Sequence, residues 1–294
     1  FGQAPMPEGL VLQASLSCPL VQLEGLSTYK AAFSKKFAFC FFWCENYFVM
    51  DQFSRTKLLI GDKNLEKLNN ANILVFGLGG VGGGAVESLA RMGIGNFTLV
   101  DNDVFSQSNL NRQLLSTYDT IGKEKTEIAK ARILSINPAC KVTLKKRFYL
   151  PENKKDIDFS SFDYIVDAID TITAKIDIIR EAKNKNIPII SAMGCGNRLD
   201  PTKLVITDLY KTENDPLCKV RRRELRKRGI HHLTVVYSKE LPIKPTREDK
   251  LKYIGEEIKE RRKDIPGSAS FVPPVAGYLI GYKAARDLLN KETE

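Results

Sequence analysis

The sequence has little of what nucleophilic relays and metal sites are usually built from. Two histidines, His231 and His232, stand side by side in 294 residues, and the six cysteines contain no C-x-x-C pair. A zinc knuckle needs paired ligands at short spacing, and a disulfide framework needs a short, cysteine-dense chain. Cys18, Cys40, Cys44, Cys140, Cys195 and Cys218 indicate neither, and a cytoplasmic, reducing compartment fits them. Long apolar runs are missing too. "KKFAFCFFWC", Lys35 to Cys44, falls well short of the roughly 20 residues of a membrane span, and it sits too far inside the chain for a signal peptide. Near the C-terminus "PPVAGYLIGYKAARDLL" is interrupted by Lys283, Arg286 and Asp287. It reads as a packed core or dimer helix, so no stable membrane span is expected.

What the chain does have is an ordinary soluble composition, 43% hydrophobic and 27% charged, and a basic excess of ten. An excess of that size favours an anionic partner such as nucleic acid and carries no information about the fold. Residues 1–49 read differently from the rest. The expectation is an N-terminal extension, disordered or non-native, with the natural domain opening at Met50 in "MDQFSRTKLLIG".

From there strand and helix signals alternate. Phe53 to Leu59 and Asn64 to Asn70 suit short polar helices. "NILVFG" is a continuous apolar run, the pattern of a strand buried on both faces, and Gly84 to Met92 repeats apolar positions at helical spacing. "NFTLVD", "KVTLKKRF", "FDYIVDAID" and "IPIISAMG" read as further strands, with helices over Lys123 to Ile136 and Thr173 to Lys185. Helices between consecutive strands mean a parallel sheet with crossovers on its faces. The expected fold is α/β: a doubly wound, mainly parallel, Rossmann-like sheet with a smaller C-terminal substrate-binding part. Residues 50–200 are assigned to nucleotide binding and 201–294 to a basic helix and a packing helix.

Six glycines crowd the eight positions Gly77 to Gly84, at the corner between the first strand and its helix. Bare backbone lets main-chain N–H groups approach a phosphate, and the helix start adds partial positive charge. Gly77, Gly79, Gly80 and Gly82 are the candidate cradle. Asp101, 24 positions after Gly77 at the end of the second strand, is placed to take ribose hydroxyls. Those features leave NAD and ATP unseparated. "VDNDVFSQSNLNRQ", Val100 to Gln113, separates them, because a second acid, Asp103, is followed by Asn109 and Arg112, with Lys125 thirteen residues further on. Cations converging on the phosphate end suit a reaction in which charge moves between oxygens. Hydride transfer has no such need.

The glycine loop, the Asp-x-Asp pair, "SNLNRQ", "GKEK" and "DAIDT" stand in the order and spacing of a known family. Over about Arg55 to Pro201 the sequence resembles the ThiF/MoeB-type adenylating enzymes related to ubiquitin-activating enzymes. The resemblance implies ATP with Mg2+, Asp101 on the ribose, and Asn109, Arg112 and Lys125 on the triphosphate. It also implies Asp170 as the carboxylate that holds magnesium, Arg112, Lys125 and Asp170 as the catalytic set, and a homodimer in which Arg55 reaches the partner's ATP.

Carrier-protein branches of this family commonly carry paired C-x-x-C ligands in the second half, which this chain lacks. "LDPTK", "DLYKT", "DPL", "VVYSKELPIKP" and "GSASFVPPVAGYLIGYKAARDLL" resemble its tRNA-modifying branch instead. The implied reaction is ATP-dependent cyclisation, with loss of water, of the threonylcarbamoyl group on the adenosine beside the anticodon. A sulfur-transfer protein is a further possible partner; DNA is not expected. "RRRELRKR" holds six cations and one acid, a density suited to RNA phosphates, so Arg221, Arg222, Arg223, Arg226, Lys227 and Arg228 are expected to bind tRNA. His231 and His232 read as surface or RNA-facing residues. Cys195, between glycines in "MGCG", reads as a small residue packed near the nucleotide rather than a nucleophile, and Cys218 as structural or exposed. Two rivals stay open: adenylation of a ubiquitin-like sulfur-carrier protein, and an NAD site.

Overall fold

Six parallel strands run through the core: β1 (Asn72–Phe76), β2 (Asn96–Asp101), β3 (Lys141–Lys146), β4 (Tyr164–Asp167), β5 (Ile189–Ala192) and β7 (Thr234–Ser238). A seventh, β6 (Leu204–Asp208), closes one edge antiparallel to β7. The sheet order is β3-β2-β1-β4-β5-β7-β6. This computed structural model describes residues 51–213, 215–254 and 265–290. The expectation for residues 1–49 lies outside them.

The helices are α1 (Ser54–Asn70), α2 (Gly80–Arg91), α3 (Lys125–Ile136), α4 (Ile172–Asn184), α5 (Pro216–Arg226), α6 (Arg247–Ile254) and α7 (Val272–Leu289). The two lead-in helices expected before β1 form one element broken at Gly61, whose φ of 78° and ψ of 167° no helix continues through. β1 shows why its sequence is apolar without alternation. Ile73 and Val75 enter one core with α2, α3 and α7, while Leu74 and Phe76 enter the other with α4 and α5. All four are fully buried, and each stabilises the fold by about 1.5–3 kcal/mol relative to exposure.

α7 settles what the apolar C-terminal stretch is for. Val272, Ala276, Ile280, Ala284 and Leu288 recur every four residues, one buried stripe facing the α2 side of the sheet. Small residues bring the backbones together: a Cβ on Gly277 would lie 2.2 Å from the Val81 carbonyl oxygen. Gly84 serves the same contact from the other side, where a Cβ would meet the Pro274 oxygen at 2.6 Å. Among the described residues no helix is long and apolar enough to cross a membrane.

Candidate active site

The strand order reverses between β1 and β4, so the turns leaving those two strands lie side by side and open a crevice at the carboxyl edge. Gly77 makes the first turn. Its φ is +85°, and a Cβ there would also lie 2.7 Å from the Ala168 carbonyl oxygen of the neighbouring turn. Gly82 is needed for packing, since its Cβ would fall 1.8 Å from the Gly77 oxygen, and Gly80 makes room for Pro273 of α7. Gly79 is different: the nearest atom to its would-be Cβ is Gln113 Nε2 at 3.8 Å, so the open face of the corner is here. No side chain caps α2, which leaves its first-turn amides to an outside acceptor.

Asp101 ends β2 beside this corner. Its carboxylate accepts the Leu78 amide at 2.7 Å and the Asp103 amide at 2.8 Å, which fixes the turn as it faces the crevice. The polar loop that follows folds back onto the start of α3, with Lys125 donating its amide to the Asp103 carbonyl and its Nζ to the Asp103 carboxylate at 2.8 Å. Lys125 is buried and Asp103 exposed, so the pair reads as a cation held at the rim by its own carboxylate. Asn109 fastens the loop through Oδ1, which accepts the Ser106 amide at 3.1 Å.

Arg112 is braced by its own loop. Its Nη1 donates to the Ser108 carbonyl at 2.7 Å and to Asn111 Oδ1 at 3.0 Å. Burial lowers its proton affinity, and the negative charge of Asp170 opposes that. Asp170 itself is exposed, three residues beyond β4. No cluster of three or more metal-ligating side chains exists among the described residues. One exposed carboxylate beside an open glycine corner fits the donor set of Mg2+, which binds through one or two carboxylates plus substrate phosphates. Arg55 does not join the constellation within this chain: it is exposed on α1 and forms no hydrogen bond with the loop residues above.

Beneath Asp170 lies a buried network that the motifs did not single out. Lys175 Nζ donates to the Asp167 carboxylate at 2.7 Å, to Ser191 Oγ at 3.0 Å and to the Ala192 carbonyl at 3.0 Å. It ties the end of β4 to the end of β5. A signal existed, because Lys175 falls among Ala174, Ile178 and Ile179 on the apolar face of α4. A second pair, Arg198 and Asp215 at 3.1 Å, ties the turn after β5 to the start of α5. Cys195 belongs to that turn; burial pushes its thiol up to about 12, which suits packing and not nucleophilic attack.

The basic helix departs from expectation at two of its six cations. Cys218, Arg221 and Leu225 form the inward face of α5, so Arg221 is buried and cannot meet RNA phosphates on the surface. Arg222 turns back to donate to the Thr212 carbonyl at 2.8 Å, closing the turn before the helix. Arg223, Arg226, Lys227 and Arg228 are exposed. Glu224 pairs with Lys227 and Arg228, each at 3.1 Å, and Arg226 lies 5.1 Å from the Tyr210 ring centre. His231 and His232 are exposed as expected, His232 beside Asp208. Cys218 is buried, its thiol raised to about 11 by desolvation.

Comparison with known proteins adds independent findings. A family profile described as the ThiF family matches residues 53–236. The chain is 44% identical over 244 residues to a Bacillus subtilis protein named tRNA threonylcarbamoyladenosine dehydratase, covering 82% of this chain and 96% of that one. Among solved structures it is similar to Escherichia coli tRNA N6-threonylcarbamoyladenosine dehydratase in complex with AMP, with a TM-score of 0.72 and 33% identity over 82% of this chain and 94% of that chain. The same enzyme in complex with ATP gives a TM-score of 0.69 at 33% identity, again over 82% and 94%.

Proposed function

Because this chain belongs to the ThiF family, we propose that it is an ATP-dependent tRNA threonylcarbamoyladenosine dehydratase. The observation that carries the reading is the extent of the likeness. It spans 96% of the Bacillus subtilis dehydratase, so it includes the half with the basic helix as well as the nucleotide corner. Adenylation of a sulfur-carrier protein, and an NAD site, account for one half at most.

The chemistry follows from charge. The substrate arm ends in a carboxylate, which titrates near about pH 4 and is already ionised at neutral pH. It needs no general base. What opposes attack is repulsion between two anions, so the protein's work is to orient and to neutralise. In this reading the amides of the Gly79 turn hold phosphate, Asp101 takes the ribose, and Asn109, Arg112 and Lys125 surround the triphosphate. A magnesium ion held by Asp170 would act as a Lewis acid on the phosphate oxygens. The carboxylate oxygen bonds to the α-phosphorus as the bond to pyrophosphate breaks. An internal nucleophile of the arm then closes the ring on the activated carbonyl and expels AMP, for a net loss of one water.

Residues 50–200 thus serve the nucleotide. The exposed cations of α5, in residues 201–294, serve the RNA, positioning it without reading its bases. We extend the reading to a homodimer. Arg55 stands beside Leu58 and Leu59, which are 85% and 86% exposed, a pairing that suits a cation carried into a neighbour's nucleotide site by an apolar contact. Light scattering checks the dimer, and mixing Arg55→Ala with Asp170→Ala chains checks the shared site, since hybrid dimers should regain activity. The reaction is tested by mass spectrometry of tRNA nucleosides after incubation with protein, ATP and magnesium. Loss of one water from the threonylcarbamoyl nucleoside is expected, and none with Asp170→Ala; an unchanged spectrum for the wild type removes the assignment.

A further inference from the structure

Four cations are buried among the described residues, and three of them have a carboxylate. Lys125 has Asp103, Lys175 has Asp167 and Arg198 has Asp215. Arg221 has none. It is 4% exposed; its Nη1 meets only the Met193 sulfur at 3.4 Å, and its Nε has no hydrogen-bond partner. A guanidinium cannot shed its proton to escape this setting, as a buried lysine can. Burying an unpaired charge is costly, and a thioether is a weak acceptor.

The position of Arg221 says what the charge is for. Met193 lies on the turn leaving β5, the strand next to β4, whose own turn carries Asp170. Lys175 joins the two turns: its Nζ bonds the Asp167 carboxylate, three residues before Asp170, and the carbonyl of Ala192, the residue before Met193. The phosphate side is served separately, from the β1 and β2 turns, by Gly79, Arg112 and Lys125. The helix that carries Arg221 is anchored to that turn. Arg198 donates to the Gly194 carbonyl at 2.7 Å, to the Gly196 carbonyl at 3.2 Å and to Asp215, whose other oxygen accepts the Cys218 amide at 2.9 Å. The β5 turn and the helix bearing Arg221 are thereby locked to each other.

We propose that Arg221 is the receptor for the carboxylate of the RNA-borne substrate, gripping it on the β5 side of the site while the glycine turn and Arg112 hold the nucleotide on the β1 side. The inference rests on the dehydratase reading. An RNA phosphodiester is too bulky and too tightly flanked to reach a side chain this deeply buried. A carboxylate at the tip of a slender arm can reach it, and its two oxygens match the guanidinium fork. Adenylation takes the charge off the carboxylate, leaving the acyl carbonyl of a mixed anhydride whose remaining negative charge sits on the phosphate. After ring closure the arm carries no carboxylate, so Arg221 holds substrate and lets product go.

The test is Arg221→Met, which keeps the apolar stem beside Met193 and removes the charge, with Arg221→Lys as the conservative partner. For Arg221→Met we expect an unchanged or higher melting temperature, because an unpaired buried charge is gone. ATP affinity by calorimetry and affinity for unmodified tRNA should also be unchanged. KM for threonylcarbamoylated tRNA should rise about 30-fold or more, with partial recovery in Arg221→Lys, and product inhibition should stay as in the wild type. An unchanged KM overturns the assignment. Lost ATP affinity overturns it by placing Arg221 on the phosphates, and a lowered melting temperature by making it a structural residue. Failure of the wild type to turn over modified tRNA sinks the dehydratase reading itself; wild-type turnover with an indifferent variant sinks only the role of Arg221.

Discussion

The glycine corner and the basic helix are the two regions richest in functional signal, and they differ in how far sequence alone carries. At the corner the proposed chemistry rests on backbone. Bare amides at an uncapped helix start follow from residue type and order, so reading Gly77 to Gly82 is close to reading the site. On α5 the chemistry is done by long side chains whose direction depends on what the helix packs against. Six cations in eight residues look alike as text, yet Arg221 goes inward, Arg222 closes a turn, and four stay exposed. Charge density predicts a partner; only packing says which charges can meet it.

Several substitutions would break or sharpen that contrast, the first having the largest effect. Gly82→Ala places a methyl on the Gly77 oxygen and should destabilise the fold by more than about 3 kcal/mol, whereas Gly79→Ala should leave stability intact and weaken only ATP binding. Urea denaturation and calorimetry separate the two; equal losses of stability would mean that the open face of the corner has been misplaced. Next, Arg112→Ala should lower kcat/KM about 100-fold, the scale on which a group stabilising transition-state charge acts. Retained activity would leave Asp170 and Lys125 as the whole catalytic set.

A third variant carries Arg223→Ala, Arg226→Ala and Lys227→Ala together. It should keep ATP affinity and weaken tRNA binding, flattening the plot of log K against log salt by about 2. A slope equal to the wild type's would mean that the exposed face of α5 is merely solvated. The smallest effect concerns Glu87, buried on α2 and gripped by Arg132 and Arg91 at 2.8 Å. Burial would raise its carboxyl, but the hydrogen bonds from Arg132 and Arg91 outweigh it and hold it below the ordinary 4.5. Its stabilising contribution is therefore complete above that value and lost as pH falls through the lower folded-state one. Glu87→Gln should cost about 1 kcal/mol at pH 7 and nothing once wild-type Glu87 is itself protonated, as melting curves across acid pH will show.

The legibility of the fold followed the same division. β1 to β5 and the helices between them were visible because β1, β2, β4 and β5 carry short apolar runs, β3 alternates apolar with polar residues, and each helix repeats its apolar face. β6 and β7 were not. "LVITD" and "TVVYS" are five residues each, and their pairing with each other and with β5 is a long-range contact that no local period announces. The Lys175–Asp167–Ser191 network was half legible: a lysine in an apolar helical face was in plain view, but not the oxygens that accept from it.

Sequence by itself determined an α/β chain with a glycine corner after its first strand, an acid at the end of its second, cations on the following loop and a surplus of positive charge. These rest on residue type and spacing, which the backbone's own geometry converts into structure. Tertiary structure alone decided that the apolar C-terminal stretch lies on α2, that Arg221 leaves the basic surface for the interior, and which elements bury Cys195. A side chain's direction, burial and partner come from elements distant in the chain, and those meet only when the sheet closes over its two cores.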